Sequence, residues 1–223
     1  VDAFQTVLAE VDRLRREQDQ RFAQGYVSWV AHGKPSTQVL PIEAVTKKVV
    51  AELLKAEPRR KLLVILMDGM SMSDLVQLLE SAETEPDRWS PAAWRPKGFE
   101  GLEAGLLPPV LASAPTLTQV SRAAFFAGGF KPELGDANTS EDRKRWAANA
   151  AVKKLLPEGV EPTLLLKDEL TEAGQLSAKA KELIAPDDDG DRVVAVVVNA
   201  IDDHLSGGEQ VQVEAGGRVL LRG

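Results

Sequence analysis

The sequence predicts an α/β fold built around a mostly parallel sheet. Leu62–Met67 (LLVILM) is an apolar run that stops at Asp68-Gly69, as a buried strand does where it enters a turn towards a helix. Val193–Val198 (VVAVVV) is apolar throughout, which marks a strand buried on both faces and therefore central in a parallel sheet. From residue 61 onward, strand-like and helix-like segments alternate.

Taken in order, residues 2–24 place Phe4, Val7, Leu8, Val11, Leu14 and Phe22 largely on one helical face, so an amphipathic helix is expected, ending near Gly25. It reads as a packing helix, with partner docking as the alternative. Residues 26–41 read as a connection. Ile42 to Ala56 reads as a second helix with Val45, Val49, Val50, Leu53 and Leu54 inward. After Asp68, Ser71 or Ser73 caps a helix that runs to about Leu79. Residues 83–101, with Trp89, Trp94 and three prolines, form a long excursion. Leu106 to Leu111 contains Pro108-Pro109, so any strand there is short or at an edge. Gln119 to Ala127 is helical and closed by Gly128-Gly129. Residues 130–140 read as a loop. Glu141 to Leu155 is read as a helix, Thr163 to Leu166 as a short strand and Glu172 to Ile184 as another helix. The run Pro186–Asp191 (PDDDGD) lacks EF-hand spacing and reads as a solvated turn. Val211–Val213 and Arg218–Leu221 pair as a hairpin in this reading.

Composition narrows the chemistry. The chain has 223 residues, 43% hydrophobic and 27% charged, an ordinary balance for a soluble protein with a sizeable core. Its net charge of −7 argues against a dedicated nucleic-acid surface, while leaving room for local basic patches. With no cysteine, any metal must be held by carboxylate, His, hydroxyl or water. No apolar stretch is long enough to cross a membrane, and no signal peptide is evident, so a cytoplasmic protein without a membrane partner is the expectation.

Three distant segments place polar residues directly after apolar ones: Asp68; Thr116 and Thr118; and Asn199 with Asp202, Asp203 and His204. In a parallel sheet such segments converge at the carboxyl ends of the strands, where ligands bind. Carboxylates with one His suit zinc or manganese, with magnesium also open. A threonine at a helix start meets unpaired N–H groups and the positive end of the dipole, both favourable to phosphate. His32 lies in the connection and is read as having no catalytic role.

The order LLVILMDGMSMSDL, APTLTQVSRAAFFAGG, NAIDDHL resembles the PglZ domain family, a branch of the alkaline phosphatase superfamily, over roughly residues 60–205. The resemblance implies a three-layer alkaline phosphatase-like sheet fold preceded by N-terminal helices, with residues 1–57 as a helical segment and 58–223 as the first part of that domain. It implies Asp68 as a metal ligand and Thr118 as the nucleophile, with Thr116 the alternate. Asp202 and His204 would hold a second metal, with Asp203 as an alternate ligand. The family's Asp-x-x-x-His spacing counted from Asp202 falls on Ser206, so the choice within this segment stays open. Arg122, one turn after Thr118, is assigned to phosphate, with a structural surface role as the alternative.

The resemblance further implies a divalent-metal phosphohydrolase, with zinc first and manganese or magnesium as alternatives. It would act on phosphomonoesters or phosphodiesters, nucleic acid among them, inside a BREX-type phage-defence system with other defence proteins as partners. The superfamily's further Asp-His ligands are not found downstream, so the chain is expected to be part of a longer protein and weak in catalysis by itself. A non-catalytic scaffold in the same complex is the rival reading. A sulfatase is disfavoured by the absence of Cys with Thr118 in place, and a mutase, which usually carries Ser there, less strongly.

Overall fold

A computed structural model describes residues 2–33, 39–57, 61–84, 109–130, 139–172, 175–184 and 193–199. The first helix, α1, covers Asp2–Ala31 and passes through Gly25 instead of ending there. A glycine in a helix interior costs only about 1 kcal/mol. Here Phe22 stacks on Tyr26 and Tyr26 meets Trp29 at a tilt, with ring centroids 6.0 Å apart at each step. The chain leaves the helix at Gly33, whose φ of 76° suits glycine alone. The apolar stripe of α1 is exposed, with Phe4 at 65% and Phe22 at 59%.

The short strand β1 (Leu40–Pro41) leads into a helical stretch that changes pitch: 3₁₀ at Ile42–Ala44, π at Thr46–Val50, and α over Ala51–Ala56 (α2). Strand β2 is Leu62–Met67 and helix α3 is Met72–Thr84. Strand β3 is only Val110–Leu111 and pairs in parallel with β1. Helix α4 (Thr118–Ala127) ends in Gly128 at φ 66°, and the N–H groups of Gly128 and Gly129 return to Phe125 O and Ala124 O at 3.1 and 3.3 Å.

The single helix expected over Glu141 to Leu155 is two, α5 (Thr139–Ala147) and α6 (Ala150–Lys153). Asn149 divides them. Its Oδ1 accepts from Ala151 N and Val152 N, and its Nδ2 donates to Phe126 O at 2.9 Å. Asn gains more as a cap than inside a helix. Strand β4 is Thr163–Leu165, followed by α7 (Lys167–Leu170). The helix expected from Glu172 is instead a small antiparallel pair, β5 (Thr171–Glu172) and β6 (Gln175–Leu176), before α8 (Ala178–Ile184). Ser177 resets the helix start by accepting from Ala180 N at 3.0 Å. The last described strand, β7, is Val193–Val198. The hairpin expected over 211–221, the loop of Trp89 and Trp94, and the acidic run at 186–191 lie outside the described residues.

Together these elements form a mixed α/β fold with short parallel sheets, the main one ordered β2-β7-β4 with β7 central, as its sequence demands. Alternation gives each strand two faces. Val193, Ala195 and Val197 share one core with Leu164, Phe125, Phe126, Trp146, Val50 and Leu54, while Val194 and Val196 join Leu165, Leu170 and Ala180 on the other face. Trp146 stacks on Phe125 at 6.1 Å and donates Nε1 to Thr163 O at 3.0 Å, so helices α4 and α5 are fixed to the sheet. Each fully buried Val, Leu or Phe contributes about 1.5–3 kcal/mol to that attachment. No described helix is long and apolar enough to cross a membrane.

Candidate functional site

The ladder between β2 and β7 continues one step past both strands. Met67 is in register with Val198, and Asp68 N donates to Val198 O at 2.9 Å. Asp68 and Asn199 are therefore neighbours at the carboxyl edge of the sheet. Leu62, Val64 and Leu66 face the same core as Val193, Ala195 and Val197. Counting on by two puts Asp68 and Asn199 on that face as well, the face on which α4 and α5 pack.

Gly69, with φ 74°, takes the chain out of the strand in a conformation other residues resist. Ser71 and Asp74 then close the start of α3 reciprocally. Ser71 N donates to Asp74 Oδ2 at 2.8 Å, and Asp74 N donates to Ser71 Oγ at 3.2 Å. The Ser71 N–H, with the Ser71 side chain second, holds the Asp74 carboxyl below the usual carboxylate range.

Across the core, Arg122 is 7% exposed and donates in two directions: Nη1 to Asp68 Oδ2 at 2.9 Å and Nε to Asp142 Oδ2 at 2.7 Å. Asp142, fully buried on α5, also accepts from Arg145 Nη1 at 3.0 Å. The planar guanidinium suits this role, since its donors diverge in fixed directions. Two carboxylates and two guanidinium groups alternate, so charge is balanced along the chain of contacts. The guanidinium expected at a phosphate thus points into an internal clasp. Asp142 was not singled out by the sequence; its only local signal is its i,i+3 relation to Arg145, a common surface pattern.

Thr118 is the first residue of α4, after Leu117 in extended conformation, and the helix start has no side-chain cap hydrogen bond. Thr118 and Thr116 are both exposed. The preceding segment is tied to the helix by Ser113 N donating to Ser121 Oγ at 3.2 Å and by Leu117 N donating to Pro115 O at 2.7 Å. Thr118 stands one turn, about 6 Å along the axis, ahead of Arg122. The clasp thereby ties α4, at Arg122, to the edge that bears Asp68. Asp202, Asp203 and His204 lie outside the described residues.

Among the described residues no group of three or more His, Asp or Glu is placed to hold a metal. Two oxygen donors do stand together by register, the Asp68 carboxylate and the Asn199 amide. Asn199 Oδ1 is buried and accepts no hydrogen bond among the described residues. A buried acceptor without a donor costs about 1–3 kcal/mol, and a hard cation removes that cost. This edge suits an oxygen-liganded divalent ion completed by further donors. No protein-family model, curated protein or solved structure matches this chain.

Proposed function

We propose that this edge belongs to a metal-dependent phosphohydrolase of the PglZ type, acting on phosphomonoesters or phosphodiesters in a phage-defence system. The observation that carries the reading is the Asp68–Arg122 hydrogen bond, which links the strand-end carboxylate to the helix that begins at Thr118. The three-layer alkaline phosphatase-like arrangement is part of the proposal. Helices on both faces of β4 and β7 support it.

Asp68 and Asn199 would hold a divalent ion, zinc first and manganese or magnesium as alternatives, with Asp202, Asp203 or His204 completing the set. When bound, that ion supplies positive charge to the phosphoryl oxygens. Thr118 Oγ1 attacks phosphorus, the bond to the leaving oxygen breaks, and a phosphothreonine forms; water then hydrolyses it and restores the hydroxyl. The start of α4 supports this step, because its unpaired N–H groups and positive dipole end face the phosphoryl charge. Arg122 orients Asp68, held in turn by Asp142.

The test is hydrolysis of p-nitrophenyl phosphate and bis-p-nitrophenyl phosphate with zinc or manganese, for wild type beside Thr118→Ala. Turnover lost in the variant at unchanged melting temperature supports the reading. Turnover that persists in Thr118→Ala, or its absence from the folded, metal-binding longer protein expected to carry this chain, sinks it. The exposed stripe on α1 favours a second reading, a non-catalytic interaction component; for that role Thr118→Ala would leave function intact.

A further inference from the structure

Away from this edge, the π-helical turn Thr46–Val50, the following α2 and the end of α6 line a half-open concavity of about 550 Å³. Lys47, Lys48, Lys55 and Lys154 line it, and Glu52 is the one acidic residue among the described lining residues. Glu52 is engaged by Lys55 at 2.5 Å. Lys47, Lys48 and Lys154 are exposed and carry no ion pair among the described residues. Ala51 and Ala151 complete the described lining, so the lysines supply most of its polar character. Single turns of π-helix concentrate at functional sites. Here the turn leaves Lys47 and Lys48 exposed in the lining while Thr46 and Val50 are buried.

In a chain of net charge −7, four lysines against one carboxylate in one concavity form a local reversal of sign. Such a reversal draws a polyanion and repels little of it. A volume of this size is that of a small-ligand pocket, which admits one strand and leaves a duplex on the rim. None of the described lining residues is aromatic, so they offer phosphate contacts and no stacking platform for bases.

We infer that this lysine trough binds the phosphate backbone of single-stranded nucleic acid without sequence preference. The inference does not depend on the hydrolase reading. It is tested by fluorescence anisotropy of labelled oligo-dT and oligo-rU with the whole chain in EDTA, where metal-dependent hydrolysis is silent. Three free lysines predict a slope of log K against log salt near −2. Lys47→Ala/Lys48→Ala should weaken strand binding by about tenfold or more at low salt and flatten the slope by about 1.4. Lys154→Ala should flatten it by about 0.7, and Lys144→Ala, on α5, should change nothing. The substituted side chains are exposed, and unchanged circular dichroism verifies the fold. The inference is overturned by no strand binding at low salt, by equal binding of wild type and the Lys47/Lys48 variant, by tighter binding of duplex than of strand, or by binding of inorganic polyphosphate alone.

Discussion

Arg122 reaches across 54 positions of sequence to place Nη1 2.9 Å from Asp68 Oδ2, joining the end of a central-sheet strand to the first turns of α4. Both side chains are under one-tenth exposed, so this is an interior pair. Breaking an interior pair costs far more than forming it gains, because the surviving charge stays buried.

Arg122→Met should therefore destabilise the fold by about 3–5 kcal/mol, read as a lower urea midpoint. Arg122→Lys should recover little of it, since an ammonium cannot span both Asp68 and Asp142 in the fork geometry. A lysine variant as stable as wild type would show that the fork geometry contributes nothing.

Gly128 and Gly33 both adopt positive φ, yet their surroundings differ. A Cβ at Gly128 would lie 3.0 Å from Asn149 Nδ2 and 3.0 Å from Thr46 Oγ1, while one at Gly33 would meet nothing within 4 Å. Gly33→Ala should cost about 1–2 kcal/mol from backbone strain alone. Gly128→Ala should cost about 2–4 kcal/mol, with crowding added. Thermal unfolding of the two variants gives the order.

Asn199→Leu should stabilise the metal-free protein, by removing an unpaired buried acceptor, and weaken binding of manganese. Asn199→Asp should retain that binding. In wild type, ion at one hundred times its dissociation constant adds about 2.7 kcal/mol. Melting temperatures with and without manganese show whether Asn199→Leu loses this increment. Equal increments in both proteins would exclude Asn199 as a ligand.

The Ser71–Asp74 cap carries a pH signature. Because the Asp74 carboxyl is depressed in the folded protein, its contribution is complete above the unfolded value and disappears as pH falls through the folded one. Hydrogen exchange at the first turn of α3 should speed up on acidification below the ordinary carboxylate range. Asp74→Asn should exchange faster at neutral pH and respond less to acid.

Elements written in local patterns were legible in the sequence: β7 from its valines, β2 from the run ending at Asp68, and α4 from its period and paired glycines. Local breaks were harder. Asn149 between α5 and α6 and Ser177 before α8 act through single hydrogen bonds that compete with continuing a helix. Gly25 resembles a helix end in sequence because its aromatic neighbours count only once the helix exists. At the site, the expectation that Thr118 follows a strand of the same sheet as Asp68 is not met, since β3 pairs with β1 in a separate sheet; α4 meets Asp68 through Arg122 instead. The destination of Arg122 was not legible either, because Asp142 lies on another helix and nothing in the spacing links them.

The pairing of β2 with β7 also sets a clock. About 130 residues separate Leu62 from Val193, its partner in the ladder. At ribosomal speeds roughly ten seconds pass between the emergence of one strand and the other. During that interval β2 has no central strand to lie against, and Ile65 stays more than half exposed even afterwards. Closing so long a loop costs more entropy than pairing local segments, so Asp68 and Asn199 are predicted to come together late in folding, an order that pulse-labelled hydrogen exchange in β2 and β7 would read. A nascent chain halted before Val193 would present the sticky strand without the edge it exists to build, which makes premature termination here more hazardous than loss of a terminal helix.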